Sequence, residues 1–199
     1  MSSSRDAILS AIRQHDLQQT ELPSLEHAWM QFADPVEQFV TVLASVGGQC
    51  VRVPKLSDIN AKLESLPQFV SAFVRCSTVP EVGRPNVDLA AVTDPHHLEN
   101  VDFAILRGEL AVAENGAVWI TDEPLKHRVL YFITQHLALV VPTRRLVHTM
   151  HAAYQQLTVG QRQFGAFISG PSKTADIEQS LVIGAHGPRS HVVFLVDEE

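Results

Sequence analysis

The run Leu137-Ala138-Leu139-Val140-Val141, closed by Pro142, constrains the fold of this chain more than any other feature. An unbroken apolar run leaves no polar face, so a strand formed here must be buried on both sides. Proline ends it because it cannot donate to a sheet ladder. Phe103-Ala104-Ile105-Leu106, Ala117-Val118-Trp119-Ile120, Phe167-Ile168-Ser169 and residues 192–196 read as further short strands. Helical periodicity appears between such runs, and the alternation predicts an α/β fold with a mostly parallel central sheet flanked by helices.

Ser4 can cap a first helix whose apolar face carries Ile8, Leu9 and Ile12. Periodicity is then lost over residues 14–30, so residues 1–30 read as an N-terminal helix and linker arm ahead of an α/β domain over 31–199. Asp34-Pro35 opens a second helix with Val36, Phe39, Val40 and Leu43 on one face, and Gly47-Gly48 ends it. A strand at Cys50-Val51-Arg52-Val53 follows, then a helix marked by Leu56, Ile59, Leu63 and Leu66, then a strand over 69–76. Residues 107–116 read as a turn or short helix, and Leu125 to Phe132 as a short helix. Thr143 is expected to cap a helix with Leu146, Val147, Met150, Ala153, Tyr154 and Leu157 inward. Gly170-Pro171-Ser172 is expected to turn into a last helix containing Ile177 and Leu181.

Composition excludes several classes of function. With 15 basic against 22 acidic residues the formal charge is −7, and no basic tract offers a nucleic-acid backbone a surface. The uncharged run 129–143 contains Thr134, Gln135 and His136 and falls short of the roughly 20 residues a spanning helix needs. A cytoplasmic protein without membrane insertion is the expectation. Two cysteines, Cys50 and Cys76, cannot build a four-cysteine cluster or zinc ribbon within this chain, and both read as reduced and structural. Ten histidines show no ligand spacing that predicts a metal site: His148 and His151 share a helix face, and no HExxH occurs.

Three segments could carry chemistry. In Ala113-Glu114-Asn115-Gly116-Ala117 a carboxylate stands in a turn before an apolar strand. Glu114 in such a setting can act as base or nucleophile, with Asn115 and Gly116 beside the ligand, although Asn-Gly is also the commonest tight turn between strands. In the second, Gly170, Ser172, Lys173, Thr174, Asp176 and Glu178 follow a strand, and the expected helix N-terminus would offer free N–H groups to an anion. The alternative is that Ser172 is only an N-cap and that Asp176 and Glu178 complement the dipole. The spacing of Gly170 to Lys173 is too short for a Walker loop. In the third, His186 stands between Gly184-Ala185 and Gly187-Pro188 on a constrained loop, where it can shuttle a proton, meet an anion, or simply fill a surface gap.

The block Gly170-Pro171-Ser172-Lys173-Thr174-Ala175-Asp176-Ile177-Glu178, with Gly184-Ala185-His186-Gly187-Pro188, resembles the signature of the LUD-domain family of lactate-utilisation proteins. Ser4-Arg5-Asp6-Ala7-Ile8-Leu9 and the segment ending at Gly116 fit as well. The resemblance implies a fold like that of NagB, RpiA and the CoA-transferases. It also implies a role in oxidising L-lactate to pyruvate beside iron–sulfur partner proteins. Any cluster would then sit on the partners, with no cofactor bound by this chain alone. Glu114-Asn115-Gly116 is also similar to the glutamate motif of the family I CoA-transferases, a fold-level analogy.

Three functions remain open at this point. The first is a non-redox subunit or accessory protein of a lactate-oxidising system. The second is a stand-alone transferase or isomerase using Glu114 on a CoA ester, sugar phosphate or carboxylate. The third is a sensor or scaffold that binds a small carboxylate without chemistry.

Overall fold

A computed structural model describes residues 3–14, 20–25, 27–123, 125–158, 160, 163–177 and 179–198. In chain order the elements are α1 (Ser4–Arg13), α2 (Pro35–Ser45), β1 (Gln49–Lys55), α3 (Ile59–Leu63), α4 (Pro67–Val70), β2 (Arg75–Ser77), β3 (Phe103–Arg107), β4 (Leu110–Val112), β5 (Ala117–Thr121), α5 (Leu130–Ile133), β6 (His136–Pro142), β7 (Leu146–Val147), α6 (Met150–Gln156), β8 (Gly165–Ile168), β9 (Lys173–Ile177), β10 (Ser180–Ile183) and β11 (Ser190–Glu198).

The central sheet is parallel throughout, in the order β1-β11-β6-β3-β2. Its apolar runs are explained by cover on both faces. Phe103, Ile105, Ala138, Val140, Val192, Phe194 and Val196 point to the side of α3 and α4, where Ile59, Leu63 and Phe69 meet them. The alternate residues Ala104, Leu106, Leu137, Leu139, Val141, Val193 and Leu195 pack against Phe39 and Leu43 of α2. That same side carries a second sheet, ordered β7-β4-β5-β8, whose outer face packs on Ala153 of α6.

The expected α/β architecture with a mostly parallel central sheet is therefore what forms. Several local expectations are corrected. The strand expected over 69–76 is instead the short helix α4, opened by Pro67, followed by β2. Asp102 accepts the N–H groups of Phe73 and Val74 and holds the chain off the sheet there, leaving Phe73 86% exposed. Residues 107–116 carry β4, which returns as a hairpin into β5. Thr143 opens a single 3-10 turn, because Leu146 and Val147 are drawn into β7 beside Ala111 and Val112; the helix cap is Thr149, which accepts from Ala152 N.

The expected last helix is the antiparallel hairpin β9-β10. Gln179 reverses the chain at φ +58°, and Thr174, Val182 and Ile183 are β-branched residues suited to a pleated ribbon. The arm helix α1 has a capping box between Ser3 and Asp6 but buries no residue. The chain joins the body at Trp29, stacked on His151 with ring centroids 3.4 Å apart, and at Phe32, whose N–H donates to His148 Nδ1. No helix among the described residues is long and apolar enough to cross a membrane.

Candidate functional site

The segments singled out in the sequence meet along one flank of the central sheet, near the amino ends of β6 and β11. Gly170, at φ +74°, bends the chain after β8 so that Pro171 lies against Gly47 at the end of α2. A Cβ at Gly170 would stand 2.6 Å from the Val46 carbonyl oxygen, so only glycine lets the loop seat this closely. Ser172 then locks the loop to the 184–188 segment: its N–H donates to Pro188 O at 2.9 Å, and its carbonyl accepts from Gly184 N at 2.9 Å. Gly187 in turn leaves room for the Ser172 side chain.

These contacts shape a cleft of about 280 Å³. Gly170, Ser172, Lys173 and His186 line it together with aromatic and aliphatic walls that include Phe132, Leu137 and Phe167. His186 is exposed at the rim. Lys173 directs its ammonium to the Val46 carbonyl at the C-terminal end of α2, where a cation complements the helix dipole. The helix N-terminus expected to hold an anion does not form, since β9 begins at Lys173. Thr174 lies on β9, where its hydroxyl accepts from Asp176 N, and Asp176 is exposed. Glu178 lies outside the described residues.

The Glu114 turn adjoins this cleft without opening into it. Ser169 Oγ donates to the Asn115 carbonyl at 2.8 Å, and that bond joins the two segments. Asn115 Oδ1 accepts from Ala117 N, an Asx turn, and Gly116 at φ +66° lies against the backbone of Leu43. The Glu114 carboxylate turns the other way. Its Oε2 accepts the Met150 N–H at 2.8 Å, so it caps the first turn of α6 beside Thr149. Glu114 N donates to His148 O, which fixes the same junction through the backbone. The structure thus brings Gly170, Ser172, Lys173 and His186 together, seats Asn115 and Gly116 behind them, and directs Glu114 to α6.

The cysteines stand on the two opposite edge strands β1 and β2, and neither lines this cleft. Burial pushes both thiols up to about 12, which makes them poor nucleophiles and poor ligands at neutral pH. Among the described residues no group of three or more His, Cys, Asp or Glu side chains is placed to hold a metal ion.

Sequence reasoning missed a second cleft at the opposite end of the sheet, where Glu109 and Arg145 meet. They lie far apart in sequence, and strand pairing brings them together, of β3 with β6 and of β4 with β7, where Ala111 lies beside Leu146. The available signal was the position of each: Glu109 just after one apolar strand, Arg145 just after another.

Comparison with known proteins bears on both clefts. A family model described as the LUD domain matches residues 84–196, a stretch that contains the Glu114 turn, the 170–188 cleft and the Glu109–Arg145 cleft. Lactate utilization protein C of Bacillus pumilus (strain SAFR-032) is 32% identical over 107 residues, covering 51% of this chain and 45% of that protein. Lactate utilization protein C of Shouchella clausii (strain KSM-K16) is 33% identical over 126 residues, covering 58% and 55%. The chain spans about half the length of the curated relatives it matches. A solved DUF162 family protein from Deinococcus radiodurans has the same fold, with a TM-score of 0.60 over 81% of this chain and 96% of that one at 17% identity.

Proposed function

The chain belongs to the LUD domain family, and from that premise we propose that it acts in lactate utilisation, as a non-redox subunit working beside iron–sulfur partner proteins that oxidise L-lactate to pyruvate. The observation that carries this reading is the similarity, at about 30% identity, to several proteins named Lactate utilization protein C. The division of labour is supported by the cysteines, which stand on opposite edges of the sheet and cannot ligate a cluster together. In this reading the 170–188 cleft holds a small carboxylate or phosphate, with Ser172, Lys173 and His186 meeting the anion and the apolar walls meeting its carbon skeleton. Thr174 and Asp176 extend the rim along β9.

The alternative of a stand-alone transferase or isomerase needs the Glu114 carboxylate to leave the Met150 N–H and turn toward a substrate. Gene deletion separates the readings in a host with no second LUD-family gene. The deletion strain is expected to lose growth on L-lactate and to keep growth on pyruvate, and a wild-type copy restores it. Glu114→Gln is expected to restore growth as well, because the amide oxygen still accepts the Met150 N–H; losing the charge costs about 0.5–1 kcal/mol of stability. His186→Ala, at an exposed position, is expected to slow growth on lactate while leaving the unfolding curve unchanged. Normal growth of the deletion strain on lactate overturns the proposal. A folded Glu114→Gln protein that fails to restore growth favours the enzyme.

A further inference from the structure

The Glu109–Arg145 cleft, of about 260 Å³, opens beyond the carboxyl ends of β3 and β6, which are neighbours at the middle of the sheet. Crevices at the carboxyl ends of parallel strands are where open α/β sheets bind their ligands. The 170–188 cleft lies at the other end, so the two are separate places. Trp119 and Thr121 of β5, Gln156 of α6, Thr158 and Gln163 add to the lining.

The charged groups here are held in fixed positions. Thr121 Oγ1 donates to Glu109 Oε1 at 2.6 Å. Arg145 Nε donates to the Glu109 carbonyl at 3.1 Å, and its Nη1 to Gln156 Oε1 at 3.2 Å, so the guanidinium plane is set before any ligand arrives. Gly165 lets the β8 backbone lie directly against the indole, because a Cβ there would stand 2.3 Å from the Trp119 ring. The arrangement is a planar cation, a carboxylate with a hydroxyl beside it, and an aromatic wall, in a volume near the lower end of the usual ligand-pocket range.

We infer that this cleft binds a small carboxylic acid carrying a hydrogen-bond donor on the adjacent carbon, that is, a 2-hydroxy or 2-amino acid. The guanidinium matches the ligand carboxylate. Glu109 accepts from the neighbouring hydroxyl or ammonium, and the indole covers the short side chain. Taking lactate as the first probe rests on the proposed role in lactate utilisation; the acid-plus-donor chemistry rests on the cleft alone.

The test uses the full chain with Trp29→Phe, which makes Trp119 the sole tryptophan, since the sequence has two. Its fluorescence is followed while L-lactate, L-alanine or propionate is added. L-lactate or L-alanine is expected to give a saturable change, and propionate, which lacks the donor, binds at least about tenfold more weakly. Glu109→Gln and Arg145→Lys are each expected to weaken binding by about tenfold or more. Unfolding curves identify any variant that fails to fold, and Glu109→Gln, which keeps an acceptor for Thr121, stands as the decisive one if Arg145→Lys does. Saturation by alanine but not lactate upholds the cleft and removes lactate as its ligand, leaving the growth phenotype to decide the proposed role. No saturable response to any of the three acids, equal binding of all three, or binding that survives Glu109→Gln overturns the inference.

Discussion

Lowering the pH from about 6.5 to about 4 is expected to remove about 3 kcal/mol of folding stability through His191 alone, and His191→Leu is expected to abolish that loss. His191 lies in β11 opposite Leu137, on the face that Val193 and Leu195 turn toward α2. It is 1% exposed, and neither ring nitrogen has a hydrogen-bond partner among the described residues. Burial disfavours the imidazolium and pushes the group down to about 4. The unfolded chain takes up the proton near the ordinary histidine value, so stability is complete above it. As pH falls, the unfolded state gains protons first, and stability drains away until the folded pKa is reached. His136 acts in the same direction more weakly, lowered by burial and then by Arg189. Asp94, held down by its hydrogen bonds to His96, and Asp197, held down by Arg52, lose their contributions only at lower pH and are exposed. Urea unfolding of wild type and His191→Leu at about pH 7.5, 6 and 5 measures the difference. At the highest pH the leucine variant is expected to equal or exceed wild type, because it leaves no unpaired polar group in the core. Parallel pH curves for the two proteins would contradict the assignment.

Gly170→Ala is expected to cost about 3 kcal/mol, most of it from contact and the rest from backbone strain. The residue combines φ +74° with a Val46 carbonyl oxygen 2.6 Å from where the Cβ would be placed, and backbone cannot swing aside as a side chain can. Gly160 supplies the control. It has φ +93° but nothing among the described residues within 4 Å of a built Cβ, so Gly160→Ala incurs the strain alone, about 1 kcal/mol. The difference isolates the seating of the 170–173 loop on the end of α2. Because Ser172 continues that loop into its bonds with Pro188 and Gly184, the same substitution is expected to disorder the cleft before the protein unfolds. Equal costs for the two substitutions would contradict this account of the loop.

Strong, self-contained patterns in the chain were readable before any coordinates. The apolar run of β6 had only one home, a doubly covered parallel strand. Asp34-Pro35 and Gly47-Gly48 bracketed α2 with the chemistry of a helix start and stop, and Asp34 does accept from Val36 and Glu37. What escaped were elements too short to show a period. β4, β7 and β2 owe their existence to partners drawn from elsewhere in the chain, and no local pattern announces a strand of two or three residues. The β9-β10 ribbon was misread because Ala175, Asp176 and Glu178 are acceptable in a first helical turn, while the reversal at Gln179 leaves no mark in composition.

Legibility of the sites follows the same division. Gly170, Ser172, Lys173 and His186 belong to two compact motifs, and the Ser172 bonds join those motifs into one cleft. Glu114 was noticed for its setting, yet its carboxylate is directed to α6 by a backbone N–H, Met150, that lies 36 residues away. Glu109 and Arg145 are separated by as much chain and joined only by strand pairing, so no spacing rule could have paired them.

Affinity purification of the tagged full chain from its own host grown on L-lactate tests the central claim most directly. Iron, acid-labile sulfide and lactate-dependent dye reduction are measured in the eluate. The account predicts that iron–sulfur proteins co-elute with the chain and that the eluate oxidises L-lactate. A chain that elutes alone, free of iron and inactive on lactate, contradicts it.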